Sequence, residues 1–345
     1  MLSKITTLFL KIFTLPFWYI QKILPRDKKL WAFGAWAGHG YADNAKFVYE
    51  YILVNEKKIK AIWITRNKNV FNKLKSIGYP VAMANSFKGF YYCLKAGVVF
   101  INNHPKDLNA LAINGAIQIW LWHGLMMKQI GQDARKFCAD TNGVKIKLKQ
   151  ILQQLFYPEL SYNPNFVINT SDFFTPYFCS AFKLNPTDIL ITGYPRNDVL
   201  FTNTTERLIK ELDEKFHHPI KIMYMPTWRD ALYKENKPFN PFESNDFSLS
   251  EFLRVLNEKN AVFLNKSHNF EKKIKYSNMT ERFINLNNDQ FTDLYLLIKD
   301  IDILITDYSS VYFDFLLTGK PIILAPFDYD TYISKSRPLY YDYYK

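Results

Sequence analysis

The sequence predicts an α/β protein in which a doubly wound parallel sheet is built twice. Its 345 residues are enough for about two domains, at roughly 150 residues per domain. Short β-rich apolar runs alternate with longer helical stretches from Lys29 onward. Several of these runs are apolar on both faces, which is typical of parallel strands covered by helices on both sides. This alternation of strands and helices indicates doubly wound α/β architecture.

The predicted elements fall into two groups. The strands of the first group are Leu30–Ala35, Ala61–Thr65, Val98–Asn102, Ile117–Trp122, Phe166–Asn169 and Ile189–Thr192. The strands of the second group are Ile220–Pro226, Ala261–Asn265, Arg282–Leu286, Ile301–Thr306 and Pro321–Ala325. The predicted helices are Asn44–Val54, Val70–Ser76, Ser171–Ala181, Ser250–Glu258, Gln290–Lys299 and Ser310–Leu317. The charged segment Thr202–His218 separates the groups, and Phe239–Ser248 is predicted to be a loop. The chain then comprises an amino-terminal segment, residues 1–27, and two domains, residues 28–203 and 204–345.

The chain is basic, because 44 Lys and Arg residues outnumber 32 Asp and Glu residues and give a net charge of +12. Its 48% apolar and 22% charged residues exclude the disordered, collagen-like and disulfide-rich classes. A basic chain with 17% aromatic residues suits nucleic acid, an anionic membrane or a phosphorylated substrate. Its aromatic residues lie mostly in apolar runs, which weighs against nucleic acid. Three scattered cysteines, Cys93, Cys138 and Cys179, indicate reduced thiols of a cytosolic protein.

The amino terminus predicts a helix that lies in a membrane interface. At about 100° per residue, Lys4, Lys11 and Lys22 fall on nearly one line, with leucines and isoleucines on the other side. The longest charge-free run, Ile12–Gln21, is too short to span a bilayer, which takes about 20 apolar residues. The alternative is a helix packed on the protein's own surface. The interfacial interpretation places the protein peripherally on the cytoplasmic face of the membrane.

Polar residues follow the predicted strands at the ends where ligands bind in doubly wound folds. A packed core does not require them there, and this regularity predicts an enzyme that works between two α/β domains. The polar groups in chain order are His123–Gly124, Gly193–Arg196, Trp228–Arg229, Lys266–His268 and Asp307–Ser310.

Two of these groups carry histidines. His123, next to the flexible Gly124, suits removal of a proton from an attacking hydroxyl. Lys266 and His268 are two residues apart at a strand tip, so their side chains point the same way and suit a pyrophosphate. For His268, the alternative is a structural role.

The other groups suit phosphate binding. Arg196 follows a Gly-x-Pro turn, and Arg229 lies in MPTWRD; either guanidinium suits a bidentate grip on phosphate, or an ion pair between domains. Asp307 ends an apolar strand, and Ser309 or Ser310 then begins a helix whose free amides suit an anion, with simple capping as the alternative. Asp43–Asn44 has the same two interpretations, capping or contact with acceptor or phosphate. No phosphate loop, kinase signature or metal-ligand cluster is present, so neither a catalytic metal nor a cofactor is predicted.

Five ordered motifs together resemble the CDP-glycerol glycerophosphotransferase family of teichoic acid and capsule polymer enzymes. They are LWHGLMMKQIG at 121–131, TGYPRND at 192–198, MPTWRD at 225–230, NKSH at 265–268 and TDYSSVYFDFLLTGKPIILAPFDYDTY at 306–332. The GYADNAKFVYEYI stretch at 40–52 also looks like the family's N-terminal helix. The resemblance implies a GT-B fold, two Rossmann-type domains facing a cleft, with nucleotide bound mainly by the carboxyl-terminal domain. It implies transfer of glycerol phosphate from CDP-glycerol to a hydroxyl of a lipid-linked or polymeric acceptor, with release of CMP.

The resemblance also implies roles for single residues. His123 matches the WHG histidine that is the usual candidate general base, and His268 matches a second functional histidine near the donor pyrophosphate. The positions associated with donor binding are matched by Arg196, Asp307, Ser309 and Ser310. The family's WHGT continues here as His123-Gly124-Leu125, and the chain stops at Lys345 where family members commonly run on.

Three alternatives remain open from the sequence. A CDP-ribitol-dependent transferase or a nucleotide-sugar glycosyltransferase would use the same fold and the same phosphate site. A basic, membrane-peripheral protein without enzymatic activity is the remote third. The predicted partners are a CDP-alditol donor, a lipid-linked or polymeric acceptor and an anionic membrane surface, without nucleic acid.

Overall fold

The computed structural model describes residues 14–134, 151–152, 155–160, 164–227, 241–243, 247–266, 281–287, 290–291, 293–335 and 338–344. These residues form the predicted α/β class, and the strand pairs of both sheets are parallel. The chain divides into two compact units. The first unit holds the residues up to His123 and Ile130–Arg196, and the second holds Gly124–Gln129 and the residues from Asn197 onward. The GT-B arrangement with its cleft stays a prediction.

The first unit contains a seven-stranded sheet in the part of the chain that the structure describes. Its strands, in chain order, are β1 (Asp27–Gly34), β2 (Lys60–Thr65), β3 (Val81–Met83), β4 (Ala96–Ile101), β5 (Ile117–Trp120), β6 (Phe166–Asn169) and β7 (Ile189–Ile191). Their order across the sheet is β3-β2-β1-β4-β5-β6-β7. Its helices are α1 (Asp43–Asn55), α2 (Lys68–Ser76), α3 (Phe87–Lys95) and α4 (Thr175–Phe182).

Large aromatic side chains fill the core of the first unit. Phe33 of β1 stacks on Phe100 of β4 with ring centroids 4.5 Å apart, and both are buried. Tyr49 of α1 packs edge-on against Trp63 of β2 at 5.5 Å, and neither side chain is exposed. Aromatic pairs of this kind add about 0.5–1.5 kcal/mol beyond their buried area. The aromatic richness of the sequence is therefore used largely for packing.

The second unit contains a five-stranded sheet within the described residues. Its strands are β8 (Ile220–Met225), β9 (Ala261–Asn265), β10 (Phe283–Asn285), β11 (Ile303–Thr306) and β12 (Ile322–Leu324), in the order β10-β9-β8-β11-β12. Its helices are α5 (Arg207–Phe216), α6 (Leu249–Glu258), α7 (Leu294–Lys299), α8 (Val311–Leu316) and α9 (Tyr329–Lys335). The core cluster is Tyr224, Leu256, Ala261, Phe263 and Phe283.

The structure adds elements that the sequence patterns did not predict. The segment that we predicted to separate the domains, Thr202–His218, forms α5, because Ile209, Leu212 and Phe216 are buried on one face of this charged helix. Its many charges hid the helical spacing of three apolar residues. Strand β3 was missed because three residues at a sheet edge carry too short a pattern. Helices α3 and α9 were also missed.

Each sheet reverses its strand order at one point. In the first unit the reversal lies between β1 and β4, and in the second unit it lies between β8 and β11. In open parallel sheets, the loops at the carboxyl ends of such a strand pair leave in opposite directions and open a crevice where ligands bind. The loops after these four strands are therefore the expected location of a ligand site.

The amino-terminal helix prediction lies largely outside the described residues, which begin at residue 14. Residues 14–20 are helical, and Phe17 stacks on Phe90 of α3 at 5.8 Å. Farther along, Ile20 and Ile23 are exposed. In the described part of the chain, no helix combines the length and the apolar character needed to cross a bilayer.

Candidate functional site

In the first unit, His123 lies three residues beyond the end of β5 and is half-buried. Its imidazole centroid is 4.5 Å from the ring of Trp122 and 5.7 Å from the ring of Trp36, which follows β1. Trp122 has a φ of 53°, in the left-handed region that a tryptophan rarely adopts. Backbone strain of this kind persists where surrounding contacts hold it, and it clusters at functional sites.

The contact that holds this backbone comes from Asn44 at the start of α1. Its Nδ2 donates to the carbonyl oxygens of Leu121 and Trp122, both at 3.0 Å. Its Oδ1 accepts from the backbone N–H of Arg196 at 3.1 Å. Asn44 is fully buried and fixes the two residues before His123. It therefore positions the histidine, a role that neither capping nor phosphate contact anticipated.

Arg196 is 2% exposed, and its guanidinium lies against a carboxylate. Its Nη1 donates to Asp43 Oδ1 at 2.8 Å, and both side chains belong to the first unit. A guanidinium held this way fixes the chain after β7 to the start of α1. Its predicted grip on a donor phosphate stays a prediction, and its described contact is structural.

Asp107, which is fully buried, lies between the loops that follow β1 and β4, where the reversal of strand order predicts a crevice. Its Oδ1 accepts from the N–H of Ala37 after β1 at 2.7 Å. Its Oδ2 accepts from three backbone amides after β4, those of Asn102, Asn103 and His104, at 2.7–3.2 Å. One carboxylate thus ties together the two loops of the crevice. The side chain of Asn102, also fully buried, has no partner for either polar atom among the described residues.

Burial raises the pKa of Asp107 from 3.8 to about 6, against the opposing effect of the four amides. The folded protein therefore binds this proton more tightly than the unfolded chain does. The contribution of Asp107 to the free energy of unfolding is then largest below about pH 4 and falls as the pH rises through about 6. Urea unfolding across this range should show that the free energy of unfolding of the wild type, minus that of Asp107→Asn, falls as the pH rises. A pH-independent difference would contradict this.

In the second unit, a buried carboxylate likewise links two loops, those that follow β8 and β11. Asp307 is fully buried, and its Oδ1 accepts from the N–H of Thr227 after β8 at 2.8 Å and from that of Tyr308 at 2.6 Å. Its carbonyl oxygen accepts from the hydroxyl of Tyr343 at 3.1 Å. Burial, followed by the nearby charge of Asp307, raises the pKa of Tyr343. Asp307 therefore holds the loop after β8 through the backbone of Thr227.

Ser309 and Ser310 are half-buried at the start of α8. Ser310 is the N-cap residue but makes no side-chain capping hydrogen bond, and Ser309 Oγ accepts from the N–H of Val311 at a long 3.5 Å. Capping thus engages these hydroxyls weakly. The phosphate interpretation of the two serines stays a prediction.

Lys266 directly follows β9 and is buried, with its N–H donating to the carbonyl oxygen of Tyr224 at 2.9 Å. Arg229 and His268 lie outside the described residues, which end at 227 and 266 and resume at 241 and 281. The predicted pairing of Lys266 with His268 therefore stays a prediction. Within the described ranges, no group of three His, Cys, Asp or Glu side chains is placed to hold a metal ion.

The segment after His123 pairs with the carboxyl-terminal segment, a contact that no sequence pattern indicated. The N–H of Gln129 donates to the carbonyl oxygen of Pro338 at 2.8 Å, and the N–H of Tyr340 donates to the carbonyl oxygen of Met127 at 2.8 Å. Between them, Lys128 lies over the ring of Tyr332 at 4.6 Å. The pairing holds the WHG-following residues within the second unit.

This chain is similar to enzymes of teichoic acid synthesis. A family model described as CDP-glycerol:poly(glycerophosphate) glycerophosphotransferase matches residues 17–345. A teichoic acid glycerol-phosphate transferase of Staphylococcus aureus is 30% identical over 333 residues, 92% of this chain and 79% of its own length. A teichoic acid poly(glycerol phosphate) polymerase of Bacillus subtilis is 27% identical over 331 residues, 93% of this chain, which spans 42% of that relative. Ribitol-phosphate polymerases also match.

Among solved structures, the wall teichoic acid polymerase TagF is similar with a TM-score of 0.71. The match covers 100% of this chain and 84% of that one at 23% sequence identity. At this identity the likeness shows the fold, two parallel α/β sheets in one chain.

Proposed function

We propose, from the premise that the chain belongs to the CDP-glycerol:poly(glycerophosphate) glycerophosphotransferase family, that it transfers glycerol phosphate from CDP-glycerol to an acceptor hydroxyl. The observation that carries the proposal is the family match, which runs from residue 17 to residue 345. The acceptor is a lipid-linked or polymeric glycan of teichoic acid or capsule-type polymer synthesis. The other product is CMP.

The proposed reaction is a direct displacement at the β-phosphorus of CDP-glycerol. The acceptor oxygen forms a bond to that phosphorus as the bond to the bridging oxygen breaks, and CMP leaves with the electron pair. His123 takes the proton of the acceptor hydroxyl. Its support is the half-buried position beyond β5 and the fixed backbone before it. Phosphoryl transfer depends mainly on such positioning and on charge stabilisation.

The second unit is proposed to bind the donor. The hydroxyls of Ser309 and Ser310 and the amides at the start of α8 contact the phosphates, and Lys266 neutralises part of their charge. Asp307 fixes the loop after β8 through Thr227 and so orders the start of the chain that leads to Arg229. Arg196 and His268 are retained as proposed donor-binding or charge-stabilising residues on their sequence context and the family resemblance, and Arg229 on its place in the MPTWRD motif.

The experiment that tests this function offers the protein CDP-glycerol, CDP-ribitol and a panel of nucleotide sugars with defined acceptors. Release of CMP with transfer of glycerol phosphate is the expected result. CMP release from CDP-ribitol alone would favour the ribitol alternative. This alternative has support of its own, because a poly(ribitol-phosphate) polymerase is among the relatives that match. Release of a nucleoside diphosphate from a nucleotide sugar would overturn the proposal in favour of a glycosyltransferase.

We also propose peripheral attachment to an anionic membrane through residues 1–27. The first 29 residues carry six basic residues against Asp27, namely Lys4, Lys11, Lys22, Arg26, Lys28 and Lys29. Arg26 is not available to lipid, because its Nη1 donates to the carbonyl oxygens of Cys93 and Ala96, both at 3.0 Å. The other five basic residues are lysines, of which Lys22, Lys28 and Lys29 are exposed in the described part of the chain, as are Ile20 and Ile23.

Vesicle sedimentation checks this attachment. The protein should sediment with vesicles that contain anionic lipid, less at high salt, and little with neutral vesicles. Replacing Lys4, Lys11 and Lys22 by glutamate should release it, whereas the same change at the exposed Lys57 and Lys58 should not. Equal sedimentation of the two variants would reject the attachment.

A further inference from the structure

The loop after β1 contains a strained stretch of backbone. Trp36, Ala37 and Gly38 have φ angles of 53°, 55° and 79°, three consecutive residues in the left-handed region. Only glycine adopts this region without cost, so a tryptophan and an alanine there lose conformational free energy. Such strain is retained when surrounding contacts enforce it, and it is frequent at ligand sites.

Three side chains, those of Asp107, Thr65 and Arg66, hold the backbone of this turn by hydrogen bonds. Asp107 accepts from the N–H of Ala37 at 2.7 Å. The carbonyl oxygen of Gly38 accepts from Thr65 Oγ1 at 2.8 Å and from the backbone N–H of Arg66 at 2.7 Å. Arg66 Nη1 also donates to the carbonyl oxygen of Ala37 at 3.2 Å. The turn is therefore a built feature of the crevice between β1 and β4.

The turn presents one large side chain. Trp36 is 41% exposed, whereas Trp63, Trp120 and Trp122 of the same unit are buried. Gly40 leaves room for this side chain, because a Cβ atom there would approach Trp36 Cδ1 to 2.9 Å. An isolated bridge between Ala35 and Gly40 closes the loop. The indole thus has a defined place at the mouth of the crevice.

The indole lies beside His123, with 5.7 Å between the ring centroids. A ligand that stacks on the open part of the indole is then within reach of the imidazole. In the proposed reaction, the ligand that must bring a hydroxyl to His123 is the acceptor. A neutral aromatic face suits the C–H face of a hydroxylated carbon skeleton, whose hydroxyls remain free to turn toward the base.

We infer that Trp36 is the acceptor platform, on which the sugar or polyol unit that receives the phosphate stacks beside His123. This inference rests on the proposed function and adds to it the residue that selects the acceptor. Asp107, Thr65 and Arg66 are positioning residues that hold the turn. The shared chemistry of the ligand is a hydroxyl-bearing carbon skeleton, either a pyranose ring or a glycerol unit.

Steady-state transfer from CDP-glycerol to two acceptors tests the inference, an alkyl glucoside and an oligomer of glycerol phosphate. Trp36→Ala should raise the KM for the better acceptor about three- to tenfold, as the loss of one aromatic contact predicts. The KM for CDP-glycerol should not change. Trp36→Phe should recover most of the acceptor affinity. The acceptor with the larger loss identifies which of the two skeletons stacks on the indole.

Two further variants make the test independent of folding. Gly40→Ala keeps the indole but displaces it, and it should also raise the acceptor KM. Tyr51→Ala removes an aromatic side chain of α1 that is 61% exposed, and it should leave both KM values unchanged. Circular dichroism checks that each variant is folded.

Three outcomes would overturn the inference. A raised KM for CDP-glycerol would assign the indole to the donor. An unchanged acceptor KM with a lower kcat would assign it to positioning His123. Both results leave the proposed function standing, because the wild type still transfers glycerol phosphate. Absence of transfer by the wild type to any acceptor would instead remove the proposed function, and the inference with it.

Discussion

His123→Ala should lower the transfer rate about 10²–10⁴-fold, the usual effect of removing a general base. Its affinity for CDP-glycerol should remain, because the proposed role of His123 is to accept a proton from the acceptor, whereas Lys266, Ser309 and Ser310, which are proposed to contact the donor phosphates, lie in the second unit. The measurement pairs the rate of CMP release with calorimetric titration of CDP-glycerol. The loss should appear in kcat, since the proton is transferred in the reacting complex.

The control for this variant is His218→Ala, which removes an exposed histidine after α5. It should have the activity of the wild type. Undiminished turnover of His123→Ala would end its assignment as the base. Lost donor binding together with lost turnover would move His123 to the donor site.

Arg196→Ala should lower the free energy of unfolding by about 3–5 kcal/mol. The guanidinium pairs with Asp43 at 2.8 Å, and the side chains of both residues are buried. Removing one partner leaves the other as an uncompensated buried charge, which is the costly case for an ion pair. The backbone N–H of residue 196 still reaches Asn44, so the effect reports on the side chain. Urea unfolding measures it.

A matched control is Arg207→Ala, because Arg207 also pairs with a carboxylate, Glu211 at 2.6 Å, but has an 87% exposed side chain. Exposed pairs contribute little, so its unfolding midpoint should stay near that of the wild type. The double variant Asp43→Asn with Arg196→Ala should be less destabilised than the sum of its singles. Arg196→Ala with wild-type stability but weakened CDP-glycerol binding would favour the phosphate grip.

Most of the fold follows from local sequence pattern. Strands β6 and β9 have the predicted bounds, and most others differ by one to three residues. These strands could be predicted because a parallel strand that is covered on both faces is a short continuous run of apolar residues. Helix α5 was missed because its many charged residues hide the apolar spacing, and strand β3 was missed because it has only three residues. His123 and Asp307 were found because polar residues that end apolar strands stand out.

The contacts of the positioning residues were not predicted from sequence, although Asn44 itself was singled out there. Asp107 contacts Ala37, 70 positions earlier, and Asn44 contacts Arg196, 152 positions later. The strain at Trp36 is equally invisible, since AWAGHG carries no period that marks a left-handed turn.

The sequence by itself thus determined the α/β class, the strand ends that carry polar residues and the family resemblance, all of which depend on local pattern or ordered motifs. Only the tertiary structure decided that Asp107 and Asp307 tie together the loops of each crevice, that Arg196 lies against Asp43, and that Trp36 lies beside His123. These contacts depend on the order of strands in the sheet. That order is set by burial of the whole sheet between helices, a property that no short stretch of sequence contains.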